Sequence, residues 1–78
     1  MFTIKLITGF LNSSQVRTQV YSCSRYEKYS FSDRAEFHFY SGESTGLIIC
    51  KKLDPDEGIS TIDVYVENSD GKTIDSAH

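Results

Sequence analysis

Ile59-Ser60-Thr61-Ile62-Asp63-Val64-Tyr65-Val66-Glu67-Asn68-Ser69-Asp70-Gly71-Lys72-Thr73-Ile74-Asp75 is the stretch on which the fold class turns. Ile62, Val64 and Val66 fall on one side of an extended chain, and Thr61, Asp63 and Tyr65 on the other. Alternation with period two is the mark of a half-buried strand, because successive side chains point to opposite faces. Asn68-Ser69-Asp70-Gly71 then supplies turn chemistry, with Asp-Gly at the place favoured in a hairpin. Lys72 to Asp75 can return as a second strand, with Ile74 its one large apolar residue.

Upstream the pattern repeats. Arg34 to Tyr40 puts Ala35, Phe37 and Phe39 on one face and Glu36, His38 and Tyr40 on the other. Leu47 to Leu53 is a short apolar run, too short for an ordinary helix. It lies between a turn cluster, Ser41 to Gly46, and the loop Asp54-Pro55-Asp56-Glu57-Gly58, where Pro55 presets φ and Gly58 permits a left-handed exit. Gln15 to Cys23 is rich in β-branched residues, with Val16, Thr18 and Val20 on one face and Arg17, Gln19 and Tyr21 on the other. Phe2, Ile4 and Leu6 alternate with Thr3 and Lys5, and Gly9 with Asn12-Ser13-Ser14 should end that strand near Thr8. Ser24-Arg25-Tyr26-Glu27 fits a capping box, which predicts a short helical turn over 25–29. The competing reading continues a strand through Tyr26 and Lys28. Ser30 to Asp33 reads as a loop, with Phe31 tucked back onto the core.

The expected architecture is therefore mainly β. Residues 1–78 form one domain, a small antiparallel sheet of five or six strands, barrel-like or paired as a sandwich. A domain of this size buries only about 60% of its unfolded surface, so its stability margin is thin. An apolar fraction of 38% supports one modest core and is too high for a disordered chain. An uncovered edge strand would invite pairing with a second copy, so a homo-oligomer is expected.

The net charge of −3 argues against a duplex DNA partner, since phosphate neutralisation favours a basic excess. The charge is uneven. Residues 1–52 hold seven basic and four acidic side chains, whereas residues 53–78 hold Lys72 against seven acidic ones. Such asymmetry can give a two-signed surface suited to docking or self-association. No stretch approaches the roughly 20 apolar residues of a membrane helix. Lys5 interrupts the apolar N-terminus and no small-residue cleavage site follows, so a cytoplasmic protein with reduced Cys23 and Cys50 is expected.

Reactive chemistry finds little support. Cys23, His38, Cys50 and His78 stand 12 or more residues apart, unlike the close ligand pairs of structural zinc, so no metal is expected. A Cys50–His38 nucleophile pair would need a lowered thiol pKa and an orienting group, and nothing local supplies either. Asp54, Asp56 and Glu57 flank Pro55 in what reads as a solvated loop, without EF-hand spacing. Ser41-Gly42-Glu43-Ser44-Thr45-Gly46 lacks the Lys of a phosphate-binding loop. Neither an enzyme nor a cofactor is expected.

The segment 17–40 is the most suggestive. Arg17, Arg25, Lys28 and Arg34 are interleaved with Tyr21, Tyr26, Tyr29, Phe31, His38 and Tyr40. Tyr and Arg are favoured anchors at protein interfaces. Aromatic faces also stack on bases while Arg forks grip phosphate. Arg17, Tyr21, Arg25, Tyr26, Lys28, Arg34, His38 and Tyr40 are thus the candidate binding residues, for a protein partner or for a nucleotide. An ordinary strand face with core aromatics has the same composition.

The hairpin Val64 to Asp75, with the extended opening Phe2 to Ile7, resembles that of short phage accessory proteins. The resemblance implies a setting rather than site residues. Such proteins inhibit host defence, by binding a protein or by sequestering a nucleotide signal. The expected function is accordingly a non-enzymatic binding protein, an inhibitor acting in the host cytoplasm. An oligomeric nucleotide-sequestering protein and a structural part of a virion are the alternatives.

Overall fold

The computed structural model describes residues 1–11, 14–51 and 58–78. The chain forms β1 (Phe2–Phe10), β2 (Val16–Cys23), β3 (Arg25–Ser30), β4 (Arg34–Ser41), β5 (Ser44–Lys51), β6 (Ile59–Glu67) and β7 (Thr73–Ala77). They make two antiparallel sheets, one ordered β2-β1-β6-β7 and one ordered β3-β4-β5. The domain is a small two-sheet sandwich, and the sheets share no ladder among the described residues.

One corner joins the layers. The chain leaves β2 and enters β3 through Ser24 alone. Ser24 N–H donates to the Tyr40 carbonyl at 2.8 Å and its hydroxyl donates to the same oxygen at 3.0 Å. These bonds correct the capping-box reading. Ser24 is spent on the corner, and 25–29 is strand, paired Arg25↔Tyr40 through Tyr29↔Glu36. The competing reading, a strand through Tyr26 and Lys28, is the one observed as β3, and it brings the strands to seven rather than the expected five or six.

Register decides what is buried. On the larger sheet Phe2, Ile4 and Leu6 line up with Cys23, Tyr21 and Gln19 on one side, and Ile4 and Leu6 with Val66 and Val64 on the other. On the smaller sheet the inner rows are Tyr26–Phe39–Gly46, Lys28–Phe37–Ile48 and Ser30–Ala35–Cys50. The fully enclosed core is Ile4, Cys23, Phe37, Ile48, Cys50, Val64 and Val66, with Phe2, Tyr21, Tyr26 and Phe39 packed around it. Ring contacts tie the layers. Tyr26 meets Phe2 at 5.3 Å edge-on, and Tyr21 meets Phe39 at 5.4 Å. Aromatic pairs at such spacing add to the area they bury.

The predicted Asn68–Gly71 turn is present. Gly71 adopts φ 80°, a left-handed value that an L side chain resists. The Asn68 carboxamide oxygen accepts from the N–H of Asp70 and of Lys72, both at 3.0 Å. Short polar side chains close turns in this way.

Other expectations are revised. β1 runs on to Phe10 rather than ending near Thr8. The Ser41–Gly46 turn shrinks to Gly42-Glu43, because Thr45 and Gly46 already pair with Tyr40 and Phe39. Val16 and Val20 lie outward on β2, 61% and 58% exposed, while Tyr21 turns inward. Phe31 is 49% exposed rather than tucked onto the core. The turn residues Asn12 and Ser13, the segment 52–53 and the loop carboxylates Asp54, Asp56 and Glu57 lie outside the described residues.

Candidate functional site

Strand parity sorts the eight candidate residues into four places. Arg25, Arg34, His38 and Tyr40 point away from the core on the outer face of β3-β4-β5. Tyr21 and Tyr26 pack into the sandwich. Lys28 sits on the inner side of edge strand β3 and reaches across to β7, where it donates to Asp75 at 3.1 Å and to the Ser76 carbonyl at 2.9 Å. Arg17 is apart from the rest at the far end of β2, its guanidinium 5.7 Å from the Phe10 ring centre.

The outer face of the small sheet gathers aromatic, aliphatic and charged groups. Its rows are Arg25–Tyr40–Thr45, Glu27–His38–Leu47 and Tyr29–Glu36–Ile49. The Arg25 guanidinium lies over the Tyr40 ring at 4.3 Å. Tyr29 meets His38 edge-on at 5.1 Å and donates its hydroxyl to Glu27 at 2.5 Å. Glu36 is the hub, accepting from Arg34 Nε at 2.5 Å, with His38 Nε2 at 3.0 Å from its other oxygen. Tyr29, Leu47 and Ile49 stand 45%, 51% and 41% exposed.

These contacts order the face. The Arg34 hydrogen bond, and then that of His38, hold the Glu36 carboxyl below its ordinary pKa. The bond to Glu27 pushes the Tyr29 hydroxyl up. Exposed ion pairs of this kind add little to stability. Their effect here is to fix rotamers, which leaves the face partly ordered in advance.

Sequence reasoning put Glu36 on the face of His38 and Tyr40 and named Tyr29 in the same segment, but counted neither of them, nor Leu47 and Ile49, among the candidate residues. The signal was available. Once Ile48 and Cys50 are read as inward, Leu47 and Ile49 must be outward, and two adjacent outward aliphatics are unusual for a solvated strand.

The reactive groups do not assemble. Burial raises the pKa of both Cys23 and Cys50, against nucleophile character. Cys50 is on the inner face of the small sheet and His38 on its outer face, so the two cannot pair. Cys50 instead donates to the Ile62 carbonyl at 3.5 Å. No group of three potential metal ligands occurs among the described residues, and no helix there is long and apolar enough to cross a membrane. Comparison of the chain with protein-family models, with curated proteins and with solved structures finds no match.

The charge asymmetry is partly resolved inside the fold. Lys5 pairs with Glu67 at 2.6 Å and Lys28 with Asp75 at 3.1 Å, so basic residues of the first part meet acidic residues of the last. Sequence charge is thus used in part to join strands rather than to divide the surface.

Proposed function

We propose that this chain is a non-enzymatic binding protein that docks a protein partner on the outer face of β3-β4-β5. The observation that carries the reading is the row arrangement itself: Tyr40, Leu47, Ile49 and Tyr29 stand around His38, with Arg25 stacked on Tyr40 at one corner and Glu36 bonded to His38. A flat face of Tyr, Arg and aliphatic groups matches the composition of protein-binding hot spots. The resemblance of the C-terminal hairpin to phage accessory proteins supports a host defence protein as that partner, met in the host cytoplasm.

The test follows from the parity. Arg25→Ala, Tyr29→Ala and Leu47→Asp combined alter only outward side chains, whereas Tyr26→Ala would damage the core. Wild type, this triple variant and the control Ile74→Asp, on the outer side of β7, are immobilised in host lysate. The partner is expected on wild type and control, and its affinity for the triple variant should fall at least about 30-fold, the effect of roughly 2 kcal/mol. Equal retention by the triple variant would remove this face from the site.

Self-association has a separate candidate. β2 is an edge strand of eight residues whose one charged side chain is Arg17, and Val16 and Val20 project from it. Edge strands are ordinarily guarded by charge, Pro or bulges. β3 and β7 meet that expectation through the Lys28–Asp75 link; the edges β2 and β5 do not, and β5 borders the docking face already assigned. We infer that a second copy pairs along β2. Light scattering should give a dimer mass for wild type and a monomer for Val20→Lys; a monomer in both cases excludes the pairing.

A further inference from the structure

We propose that the open end of the sandwich binds a small planar molecule that carries an anionic group. Two of the three inner rows of the small sheet are filled, Lys28–Phe37–Ile48 by its own side chains and Tyr26–Phe39–Gly46 by the Phe39 ring lying where a Gly46 side chain would go. The third row, Ser30–Ala35–Cys50, holds only small residues. The larger sheet matches this economy by presenting Ala77 and Ile62 at the same end. The result is a cavity of about 770 Å³ between the layers, lined from β3, β4, β5, β6 and β7.

The space is an open groove at the end of the sandwich, where small inner residues leave room that a ligand can enter from solvent. The volume is also within the 300–1,000 Å³ or so typical of small-molecule sites. Its floor is apolar, from Ala35, Cys50, Ile62 and Ala77. Its rim carries Lys28, Arg34, Lys51 and His78, together with Asp33 and Asp63. Arg34 bonds Asp33 at 2.9 Å and His78 lies 2.8 Å from Asp63, so the rim is ordered by its own ion pairs. At the mouth the Arg34 guanidinium sits over the exposed Phe31 ring at 4.3 Å. That pair offers a flat apolar and cationic surface beside an apolar slot. A planar ring fills the slot, and its anionic group reaches the rim cations by charge-assisted hydrogen bonds. The site opens between the sheets and meets the outer docking face at Arg34, which belongs to both.

Two probes separate the sources of such an anion, AMP for a phosphate head and 1-naphthoate for an aryl carboxylate. Amide NMR titration of the full chain is expected to show saturable shifts at 30–35, 50–51, 61–63 and 76–78, with a Kd below about 1 mM for at least one probe. Ala35→Leu and Ala77→Leu each put a larger apolar group on the floor. Both should retain a dispersed spectrum, melt no lower than wild type, and bind at least about tenfold more weakly. Lys51→Gln leaves the floor intact and should weaken binding several-fold while leaving the rest of the spectrum unchanged. Saturation by AMP alone assigns a phosphate-bearing ligand; saturation by naphthoate alone assigns an aryl acid. No saturation with either probe, shifts confined to the outer sheet faces, or undiminished binding by the Leu variants and by Lys51→Gln would overturn the assignment.

Discussion

Phe37→Ala is expected to remove about 3–5 kcal/mol of stability at 25 °C, a large share of what the domain has. Phe37 has no solvent exposure and stands at the middle of the middle row, between Lys28 and Ile48. Its ring neighbours Tyr26 at 6.5 Å, and the Lys28 ammonium lies 5.7 Å from its centre. Truncating a buried Phe to Ala costs about 3–5 kcal/mol, the sum of lost transfer energy and the cavity left behind. At about 0.05–0.15 kcal/mol per residue, a domain of this length has roughly 4–12 kcal/mol to lose. Collapse around the gap offers little relief, because the two sheets meet through a single layer of side chains and an open groove already lies beside that layer. Phe37→Leu keeps most of the volume and should cost less than about 1.5–2 kcal/mol. Thermal or urea unfolding followed by circular dichroism separates the two variants. An Ala variant melting within a few degrees of wild type would show that Phe37 does not hold the sheets together.

Strand identity was readable because alternation is a local property, and inner-face partners such as Ile62, Val64 and Val66 announced themselves by size. Three features were not readable, for physical reasons. Ser24-Arg25-Tyr26-Glu27 satisfies a local capping rule, but the acceptor that claims Ser24 is the Tyr40 carbonyl, sixteen residues away. On β2 the alternation was correct, but nothing in the strand said which face is inward. The β-branched residues face out and Tyr21 faces in, because Ile4, which pairs with Tyr21, is in the core. Parity within one strand cannot say which side is inside; that is set by the neighbour. Phe31 was assigned to the core on hydrophobicity alone, whereas its position is fixed by a hairpin turn, with its N–H donating to the Arg34 carbonyl at 2.8 Å.

The candidate site was legible in composition and illegible in arrangement. A segment rich in Tyr and Arg does reach the surface, yet consecutive residues of a strand go to opposite faces. Arg25 and Tyr26 illustrate the division: one stacks on Tyr40 outside, the other donates its hydroxyl to Asp75 at 3.2 Å between the sheets. The same division gives the protein two surfaces from one stretch of sequence. Outward side chains of β3 and β4 build the docking face, while inward Lys28 and Ser30 border the cavity. Away from Arg34, which belongs to both, a substitution that damages one surface should therefore spare the other, provided the core row between them is intact.

Gly46→Ala is expected to destabilise the domain by about 1–3 kcal/mol, and the loss should vanish when Phe39 is truncated. Gly46 is not among the glycines at positive φ, so Ala meets no backbone objection there. Space is the obstacle. A Cβ at position 46 would come within 2.8 Å of three Phe39 ring carbons, closer than non-bonded carbons approach. The two residues are register partners, and Gly46 lies on the edge strand β5, so the aromatic ring covers the backbone that the glycine leaves bare. To admit a methyl group the ring must swing away, which gives up its contact with Tyr21 on the other sheet. In a Phe39→Ala background the clash is gone, and Ala should then be preferred over Gly by about 0.5–1 kcal/mol, the ordinary entropic penalty of glycine in a strand. The double-mutant cycle, read by urea denaturation, is thus expected to show a coupling that reverses the sign of the Gly46 substitution. Equal costs in both backgrounds would mean that Phe39 does not hold position 46, and that the small residue there answers to another constraint. A reversal would also establish that the glycine row owes its size to a ring.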